Sequence, residues 1–389
     1  MSLFFYHSHT NIKRKNLTVQ RFDFSYSRMK VYNIDLTRQK PADYWTKAIH
    51  DHLESIQSVK KYFDTLLSGT GTIDNSKSWT KLCLKWATKA VSYVSPVLYR
   101  DELKSIANIC GFDLEDIMLL QLCYELLANC TVAIIQHPND PKQVYMLRTM
   151  DWVLGALSEL TIQVNFYSNG QFLYKAVTFA GYIGIATAVV PQKYAIAINF
   201  RRLNNGIAGN AMRLLSGSWP VGYLVREILK ESSSVSGKLQ TISQVQDALS
   251  QAILISPCYY SLAICNSING SIVIARSPTK ADHTATMSKH SHGILVQANM
   301  DQFEHGNAKE DILESIERVK LAKECSLDIR KRLLKNQSEV GLTLDEMLNL
   351  FLKTPILNDE TVYACAIHVN SGVIHTKTNN NNTSIHLSI

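Results

Sequence analysis

The spacing of apolar residues changes near residue 130. Before that point, apolar side chains recur every three or four positions, as in an amphipathic helix, in the segments 43–56, 82–91, 99–110 and 113–129. Gly111 follows the third segment and suits the left-handed conformation in which many helices end. The turn-rich stretch 68–76 interrupts the pattern. We therefore expect a mostly helical segment over residues 31–129.

Beyond residue 130 the pattern indicates strands, many with alternating apolar and polar residues. Strand-like runs cover residues 130–135, 144–151, 160–166, 172–179, 194–199, 259–264, 271–275 and 361–369. Asn-Gly pairs at 169–170 and 269–270 predict tight hairpin turns between neighbouring runs. Helical patterns lie among the strands at 220–230, 245–253, 311–323 and 343–352. We therefore expect an α+β fold, with antiparallel sheets and helices over residues 130–378.

The composition is typical of a globular protein, with 46% hydrophobic and 19% charged residues in a chain of 389. Most of the net charge of +7 lies in residues 1–30, where six basic residues face one acidic residue: Lys13, Arg14, Lys15, Arg21, Arg28 and Lys30 against Asp23. The rest of the chain is nearly neutral, so we expect no nucleic-acid partner. Residues 1–30 are expected to be a flexible basic leader, with a membrane-surface or targeting role as the alternative, and residues 379–389 a polar tail.

The eight cysteines show no C-x-x-C spacing, so we expect neither a metal site nor another cofactor. Most of them lie within apolar runs and are interpreted as small buried side chains. The leader lacks the apolar core and the small-residue cleavage site of a secretory signal peptide. No apolar run reaches the roughly 20 residues that cross a bilayer.

Cys130 is the strongest candidate for a reactive group, because it begins a strand-like run directly after a helix-like one. Arg148 and Asp151 end the neighbouring run, three residues apart. This arrangement suits an N-terminal nucleophile, in which the chain is cut before the Cys and the freed α-amine serves as the base for the thiol. An α-amine has a pKa of about 7.7–8.0, close to that of a thiol. None of the twelve His falls in these motifs, which disfavours a Cys–His dyad.

Seven motifs in a fixed order extend this signal along the chain, at residues 31–36, 129–131, 148–151, 178–184, 219–221, 296–301 and 354–363. Together they resemble the acid ceramidase and N-acylethanolamine acid amidase family of N-terminal-nucleophile hydrolases. The resemblance implies an αββα sandwich over residues 130–378, the catalytic β-subunit. It also implies self-cleavage between Asn129 and Cys130, which frees residues 31–129 as a helical α-subunit or prosegment.

The resemblance further implies roles for the candidate catalytic residues. Asp151 would hold the Cys130 amine and tune its proton affinity, while Arg148 would orient the thiol. Asn299 matches a family asparagine whose side-chain amide helps to bind the oxyanion. Arg318 matches an arginine that follows it, although an ordinary solvated helix arginine is an equally good interpretation.

Apolar and polar side chains near these motifs are candidates for binding substrate. Trp152, Phe179 and Tyr182 are predicted to line an acyl pocket, with ordinary core packing as the alternative. Asn266 lies near a polar position of the family, but the glycines that accompany that position are missing here.

One departure from the family bears on activation. The chain reads Asn199-Phe-Arg201 where relatives often carry Asn-Glu-Arg, so Phe200 replaces an acid. This change is expected to weaken self-cleavage or to shift its pH dependence. It also leaves open a catalytically weak relative that binds lipid or a partner. Bile-salt and penicillin acylases are disfavoured, because about 100 residues of largely helical sequence precede Cys130.

The implied substrate is a lipid amide, either ceramide, which gives sphingosine and a fatty acid, or an N-acylethanolamine. The segments 175–182 and 355–363 favour ceramide, whereas the short connection between Asp151 and Leu160 favours the ethanolamide. The expected partners are this substrate, a peripheral membrane contact and the two fragments of a self-cleaved α/β heterodimer. The resemblance implies a lysosomal compartment, while the leader leaves a cytoplasmic one open.

Overall fold

A computed structural model describes residues 29–68, 98–122, 129–152, 155–203, 213, 216–268, 270–288, 291–302, 310–335 and 342–379. The helix predicted at 82–91, most of the turn-rich stretch 68–76 and residue 269 of the second hairpin lie outside these residues. Nearly all of the basic leader and of the polar tail does as well.

Two sheets account for the strands. The first has eight strands in the order β1-β4-β5-β6-β7-β8-β9-β10. Its strands are β1 Val31–Asp35, β4 Thr161–Ser168, β5 Gln171–Phe179, β6 Thr187–Val190, β7 Tyr194–Phe200, β8 Cys258–Ile264, β9 Ile272–Arg276 and β10 Ala281–Thr286. The second has five strands in the order β11-β2-β3-β12-β13. They are β11 Ile294–Gln297, β2 Asn129–Gln136, β3 Val144–Asp151, β12 Thr361–His368 and β13 Val373–Thr378.

Nine α-helices are described alongside the sheets. They are α1 Thr46–Asp51, α2 Leu53–Ser68, α3 Arg100–Cys110, α4 Leu114–Leu122, α5 Leu157–Leu160, α6 Val221–Ser233, α7 Ile242–Gln251, α8 Glu310–Lys335 and α9 Leu344–Phe351. Helices α7 and α9 begin with capping boxes, in which Thr241 and Thr343 accept from the backbone N–H three residues on. Gly111 ends α3 with φ +71°, as predicted.

The sheets pack face to face and the helices cover their outer faces. The main core combines side chains from both sheets, including Val132, Met146 and Ala197. Residues of opposite parity in β2 and β3, such as Ala133 and Leu147, pack instead against α8 and α9. Helix α6 lies on the other side of the eight-stranded sheet, where the Tyr194 hydroxyl lies 2.6 Å from Ser232 Oγ. This order of layers confirms the predicted α+β, αββα sandwich.

The segment before Cys130 is less purely helical than its periodicity predicts. Strand β1 pairs in parallel with β4, from Val31 opposite Gln163 to Asp35 opposite Tyr167. Tyr32 and Ile34 are buried while their neighbours are more exposed, which is the alternation of an edge strand. A strand of five residues is too short for its period to be distinguished from that of the following helices, so the apolar pattern does not predict β1.

The hairpin between β4 and β5 has the predicted geometry. Asn169 and Gly170 both have positive φ, +52° and +78°, and Ser168 pairs with Gln171 across the turn. Positive φ at both central residues is the requirement of a type I′ turn, which Asn-Gly meets at low steric cost.

A buried ion pair ties the N-terminal segment to the rest of the fold. Arg226 of α6 donates to both carboxylate oxygens of Glu102 in α3, at 2.8 and 3.0 Å. Trp45 Nε1 donates to the same carboxylate at 2.6 Å. The guanidinium lies over the Tyr99 ring, 4.3 Å from its centroid. Residues on both sides of position 130 therefore share one core.

Candidate active site

Adjacent strands bring Cys130 and Arg148 together. In the β2–β3 ladder Cys130 is opposite Met150 and Val132 is opposite Arg148, so all four side chains point to the inner face. Arg148 Nη2 donates to Cys130 Sγ at 3.2 Å and to the carbonyl of Ile198 at 2.7 Å. Both side chains are fully buried. The guanidinium is thus fixed by the opposite sheet in a position where it can stabilise a thiolate.

The environment of the Cys130 thiol combines burial with positive charge. Burial raises the pKa of this thiol, and the nearby Arg148 and Arg318 act against that shift. Met150 Sδ lies 3.3 Å from Cys130 Sγ. The Cys130 side chain has no solvent-exposed surface.

Side chains distant in sequence hold the backbone groups of Cys130. Its N–H donates to Asn299 Oδ1 at 2.8 Å. Its carbonyl accepts from Arg318 Nη1 at 3.0 Å and from Asn199 Nδ2 at 3.3 Å. Asn299 follows β11, Arg318 belongs to α8 and Asn199 lies near the end of β7, so three elements converge on one residue of β2.

Arg318 is a central member of this cluster rather than a solvated helix residue. It is only 2% exposed, and its guanidinium also donates to Thr131 Oγ1 at 3.0 Å. Its Nη2 donates to Asn299 Oδ1 at 3.2 Å and to Ser315 Oγ at 3.1 Å. One guanidinium therefore connects the carbonyl of Cys130 to the asparagine that holds the N–H of Cys130.

Asp151 is a buried carboxyl at the end of β3, paired with Asn129 in the ladder. Thr361 Oγ1 donates to Asp151 Oδ1 at 2.8 Å, and Asp151 Oδ2 lies 3.7 Å from Arg318 Nη1. Burial raises the pKa of Asp151 to about 6, against the opposing effects of Arg318 and of the hydrogen bond from Thr361. The carboxyl is therefore poised to change charge under mildly acidic conditions.

The geometry around Asn299 differs from the predicted oxyanion donor. Its Nδ2 donates to the carbonyl of Phe200 at 2.8 Å, and its Oδ1 accepts from Cys130 N–H. The side chain thus contacts Cys130 through its oxygen in the uncut chain. The sequence could not show this, because an amide side chain offers a donor and an acceptor and only the packed neighbours decide between them.

Two of the predicted pocket residues lie beside the cluster. Trp152 follows β3 and stands edge-on to Phe179, with 6.3 Å between ring centroids. Phe179 is 6.0 Å from Tyr363, which is opposite Met150 in the β12–β3 ladder. Trp152, Phe179 and Tyr363 therefore form an aromatic group two strands from Cys130.

The other two candidate binding residues have different surroundings. A Cβ on Gly184 or Gly222 would stand within 2.3 Å of the Tyr182 hydroxyl, so this ring packs against two glycines of the core. The backbone N–H of Asn266 donates to the carbonyl of Lys142, at the start of the β3 hairpin rather than its end. Eight residues of β3 span about 25 Å, which separates Asn266 from the Cys130 cluster. Spacing in the sequence does not reveal which end of a strand a loop joins.

Asn199, Thr131 and Thr361 belong to the cluster but were not assigned a role from the sequence. Asn199 is fully buried and also donates to the carbonyl of Gln297 at 3.1 Å. A signal for it existed in the Asn-Phe-Arg segment, where a polar residue ends an otherwise apolar strand. Thr131 and Thr361 are common strand residues, and nothing in their local sequence marks them.

Within the described ranges, no group of three or more His, Cys, Asp and Glu side chains is arranged to hold a metal ion. Among those same residues, no helix combines the length and the apolar character needed to cross a membrane. The described cysteines are all buried free thiols: Cys110, Cys130, Cys258, Cys265, Cys325 and Cys365.

Comparison with known proteins identifies relatives over most of the chain, although no family model matches it. An uncharacterized protein of Acanthamoeba polyphaga mimivirus is 29% identical over 342 residues, covering 85% of this chain and 94% of the relative. The acid ceramidase of Bos taurus is 26% identical over 301 residues, covering 72% and 70%. An N-acylethanolamine-hydrolyzing acid amidase of Caenorhabditis elegans is 25% identical over 288 residues, covering 70% and 74%.

A solved structure of a Caenorhabditis elegans N-acylethanolamine-hydrolyzing acid amidase ortholog is also similar, with a TM-score of 0.48 and 23% identity. The similarity covers 62% of this chain and 93% of that one. The resemblance inferred from the sequence motifs, to acid ceramidases and N-acylethanolamine acid amidases, is confirmed by the sequence relatives.

Proposed function

We propose that this chain, a relative of acid ceramidases and of an N-acylethanolamine-hydrolyzing acid amidase, is an N-terminal-nucleophile hydrolase of fatty-acyl amides. The observation that carries the proposal is the set of contacts made by Cys130. Its thiol contacts a buried guanidinium, and separate side chains hold its N–H and its carbonyl. A cysteine that served only in packing would not require this set of contacts.

Self-cleavage would precede catalysis. The Cys130 thiol attacks the carbonyl carbon of Asn129, an S–C bond forms, and the C–N bond between the two residues breaks. The leaving nitrogen takes up a proton and becomes the α-amine of Cys130. Water then hydrolyses the thioester, which gives the carboxylate of Asn129 and restores the thiol. The contacts on Cys130 favour this step because they hold the N–H of the peptide that is cut and the carbonyl of the peptide that follows it.

Asp151 is the proposed proton donor for the leaving nitrogen. With its pKa raised to about 6 by burial, the carboxyl is protonated in mildly acidic solution and ionised in neutral solution. Donation requires the protonated form, so acid would trigger self-cleavage. Once the α-amine is free, the ionised carboxylate would hold and orient it, which is the role implied by the family resemblance.

The mature enzyme would use the same residues for amide hydrolysis. The α-amine accepts the thiol proton, and the thiolate, stabilised by Arg148, attacks the carbonyl carbon of the lipid amide. The α-amine then passes its proton to the departing amine, which leaves an acyl thioester. Water releases the fatty acid and regenerates the thiol. Arg318 and Asn199, which donate to a carbonyl oxygen in the uncut chain, supply positive charge and a donor near the reacting centre.

For the substrate we propose ceramide, with an N-acylethanolamine as the alternative. Both present an apolar acyl chain next to the amide, and the aromatic group of Trp152, Phe179 and Tyr363 offers an apolar wall near Cys130. The segments 175–182 and 355–363, which resemble ceramidases in amino-acid sequence, favour ceramide. The two fragments are proposed to remain together as an α/β heterodimer, because β1 and Glu102 both bond to residues after position 130.

The test is hydrolysis of matched amides by the self-cleaved protein. Ceramide and an N-acylethanolamine with the same acyl chain are incubated with it, and fatty acid is quantified by mass spectrometry. The proposal expects release that is lost in Arg148→Lys, which keeps the charge but not the paired donors. Greater turnover of the N-acylethanolamine would make it the preferred substrate in place of ceramide. A self-cleaved protein that releases fatty acid from neither would contradict the proposed activity.

A further inference from the structure

A second ion cluster, partly buried, lies immediately beyond the site. Arg201 is 3% exposed, and its Nε and Nη2 donate to the two carboxylate oxygens of Asp301, both at 2.8 Å. Its Nη1 donates to Asp282. The Tyr259 hydroxyl donates to Asp301 Oδ1 at 2.6 Å, and the guanidinium lies 5.7 Å from the centre of the Tyr259 ring. The proposed mechanism uses none of these four residues.

The position of the cluster in the chain links it to the asparagines of the site. Arg201 follows Asn199 by two residues, and Asp301 follows Asn299 by two residues. In extended backbone, side chains two apart share a face, so Arg201, the residue directly after β7, lies on the same face as Asn199. The Arg201–Asp301 pair therefore joins the two chain segments that hold the backbone of Cys130.

Further hydrogen bonds connect the same two segments. Asn299 Nδ2 donates to the carbonyl of Phe200, and Asn199 Nδ2 donates to the carbonyls of Gln297 and Ala298. These single bonds allow small shifts, whereas a bidentate arginine–carboxylate pair has a fixed geometry. The ion pair is therefore the contact that most narrowly limits how the segments lie against each other.

From this geometry we propose that Arg201 and Asp301 are positioning residues. Together they form a clamp that sets the distance from Asn199 and Asn299 to Cys130. The proposal rests on the proposed function for its effect on chemistry, since Asn299 accepts from the N–H of the peptide that would be cut and Asn199 donates to the carbonyl of the next peptide. It assigns a purpose to the arginine of the Asn-Phe-Arg segment, next to the position where the family acid is missing. Arg201 touches neither the thiol nor the reacting carbonyl in this account.

The expected size of the effect follows from alignment. A displacement of about 1 Å in a catalytic arrangement can lower a rate by about 100-fold. In Arg201→Lys the positive charge remains but the second donor to Asp301 is lost, so the segments can shift without losing their attraction. We expect self-cleavage and kcat to fall about 10- to 100-fold, with KM changed less than about twofold, because the aromatic wall is not part of the clamp.

Arg226→Lys is the matched control. Arg226 also forms a bidentate pair, with Glu102, which is more deeply buried than the pair of Arg201 and Asp301, and it contacts neither asparagine. The two variants should lose similar thermal stability, while only Arg201→Lys loses rate per folded molecule. Rates are measured at a temperature where circular dichroism shows both variants folded. Equal rates in the two variants would overturn the proposal.

A second measurement does not depend on activity. In the Cys130→Ala background the chain stays whole, and the backbone N–H of residue 130 keeps its acceptor on Asn299. Hydrogen exchange is followed by mass spectrometry in peptides that cover residues 129–136. We expect exchange at the amide of residue 130 to accelerate about tenfold or more in Arg201→Lys and to stay unchanged in Arg226→Lys. Unchanged exchange in both would refute the clamp.

These two measurements separate the clamp from the function on which it rests. A wild-type chain that neither cleaves itself nor hydrolyses lipid amides would end the proposed function, and the exchange result would still decide the role of Arg201. If the wild type is active and Arg201→Lys keeps full activity, the clamp proposal is contradicted and the proposed function is not.

Discussion

The buried pair of Glu102 and Arg226 gives a quantitative prediction about the two fragments. Cleavage before Cys130 would place Glu102 on the smaller fragment and Arg226 on the larger one. Their side chains are only 3% and 4% exposed, and the N–O distances of 2.8 and 3.0 Å put the charge centres about 4 Å apart. At that separation two unit charges attract by about 4 kcal/mol when the effective dielectric constant is about 20.

The perturbation is Glu102→Gln, which keeps the shape of the side chain and removes its charge. Arg226 would then be a buried cation without its carboxylate, a change that typically costs 3–5 kcal/mol. We therefore expect association of the fragments to weaken by roughly 150- to 5,000-fold, which is the same free energy expressed as an equilibrium constant.

The assay is a urea titration of the self-cleaved protein, with separation of the fragments followed by size-exclusion chromatography. Lys230→Gln serves as the control, because Lys230 lies one turn along the same helix and its pair with Glu227 is largely exposed. That variant should change the free energy by less than about 1 kcal/mol. If Glu102→Gln dissociates at the same urea concentration as the control, the buried pair does not hold the fragments and the reasoning is refuted.

Three further predictions concern the site. Arg318→Gln removes the positive charge that lies beside the carbonyl of Cys130. This variant should slow self-cleavage by about 100-fold or more, measured by the time course of fragments on a denaturing gel. A rate within threefold of wild type would show that Arg318 has no part in the mechanism. Self-cleavage should accelerate as pH falls through about 6, where Asp151 gains its proton. Thr361→Val, which removes a hydrogen bond that lowers the pKa of Asp151, should move this midpoint to higher pH, and a midpoint at lower pH would contradict the assignment. Phe200→Glu, which restores the family acid beside Asn299, should accelerate self-cleavage at its optimal pH, and a slower variant would show that this site is adapted to Phe.

The sequence predicted the parts of the site that depend on neighbouring strands. Cys130, Arg148 and Asp151 lie on β2 and β3, which pair with each other through a short connection, so proximity followed from the strand pattern alone. The Asn-Gly turn at 169–170 and the end of α3 at Gly111 also depend on local chemistry, and both have the predicted conformation.

Contacts between distant elements could not be predicted in this way. Asn199 and Cys130 are 69 residues apart, and Arg318 and Cys130 are 188 apart. An amphipathic pattern places Arg318 at a helical position but does not tell whether a sheet covers that position. Only the packing of α8 on the five-stranded sheet makes this arginine a partner of the nucleophile.

The surroundings of Tyr182 and Asn266 could not be predicted for the same reason. Their side chains suit a binding pocket, but the sequence does not show where their loops lie. The glycines that accommodate Tyr182, at 184 and 222, are separated by 38 residues and come together only through tertiary packing. Asn266 lies at the opposite end of the sheet from the site, as the bond of its N–H to Lys142 demonstrates.

The most direct test of the account is the intact mass and the N-terminal sequence of the purified protein after incubation at mildly acidic and at neutral pH. The account predicts two fragments, the larger of which begins Cys-Thr-Val-Ala-Ile, with faster cleavage in acid and a Cys130→Ala chain that stays whole. A wild-type chain that remains uncut at both pH values, in folded protein, would contradict it.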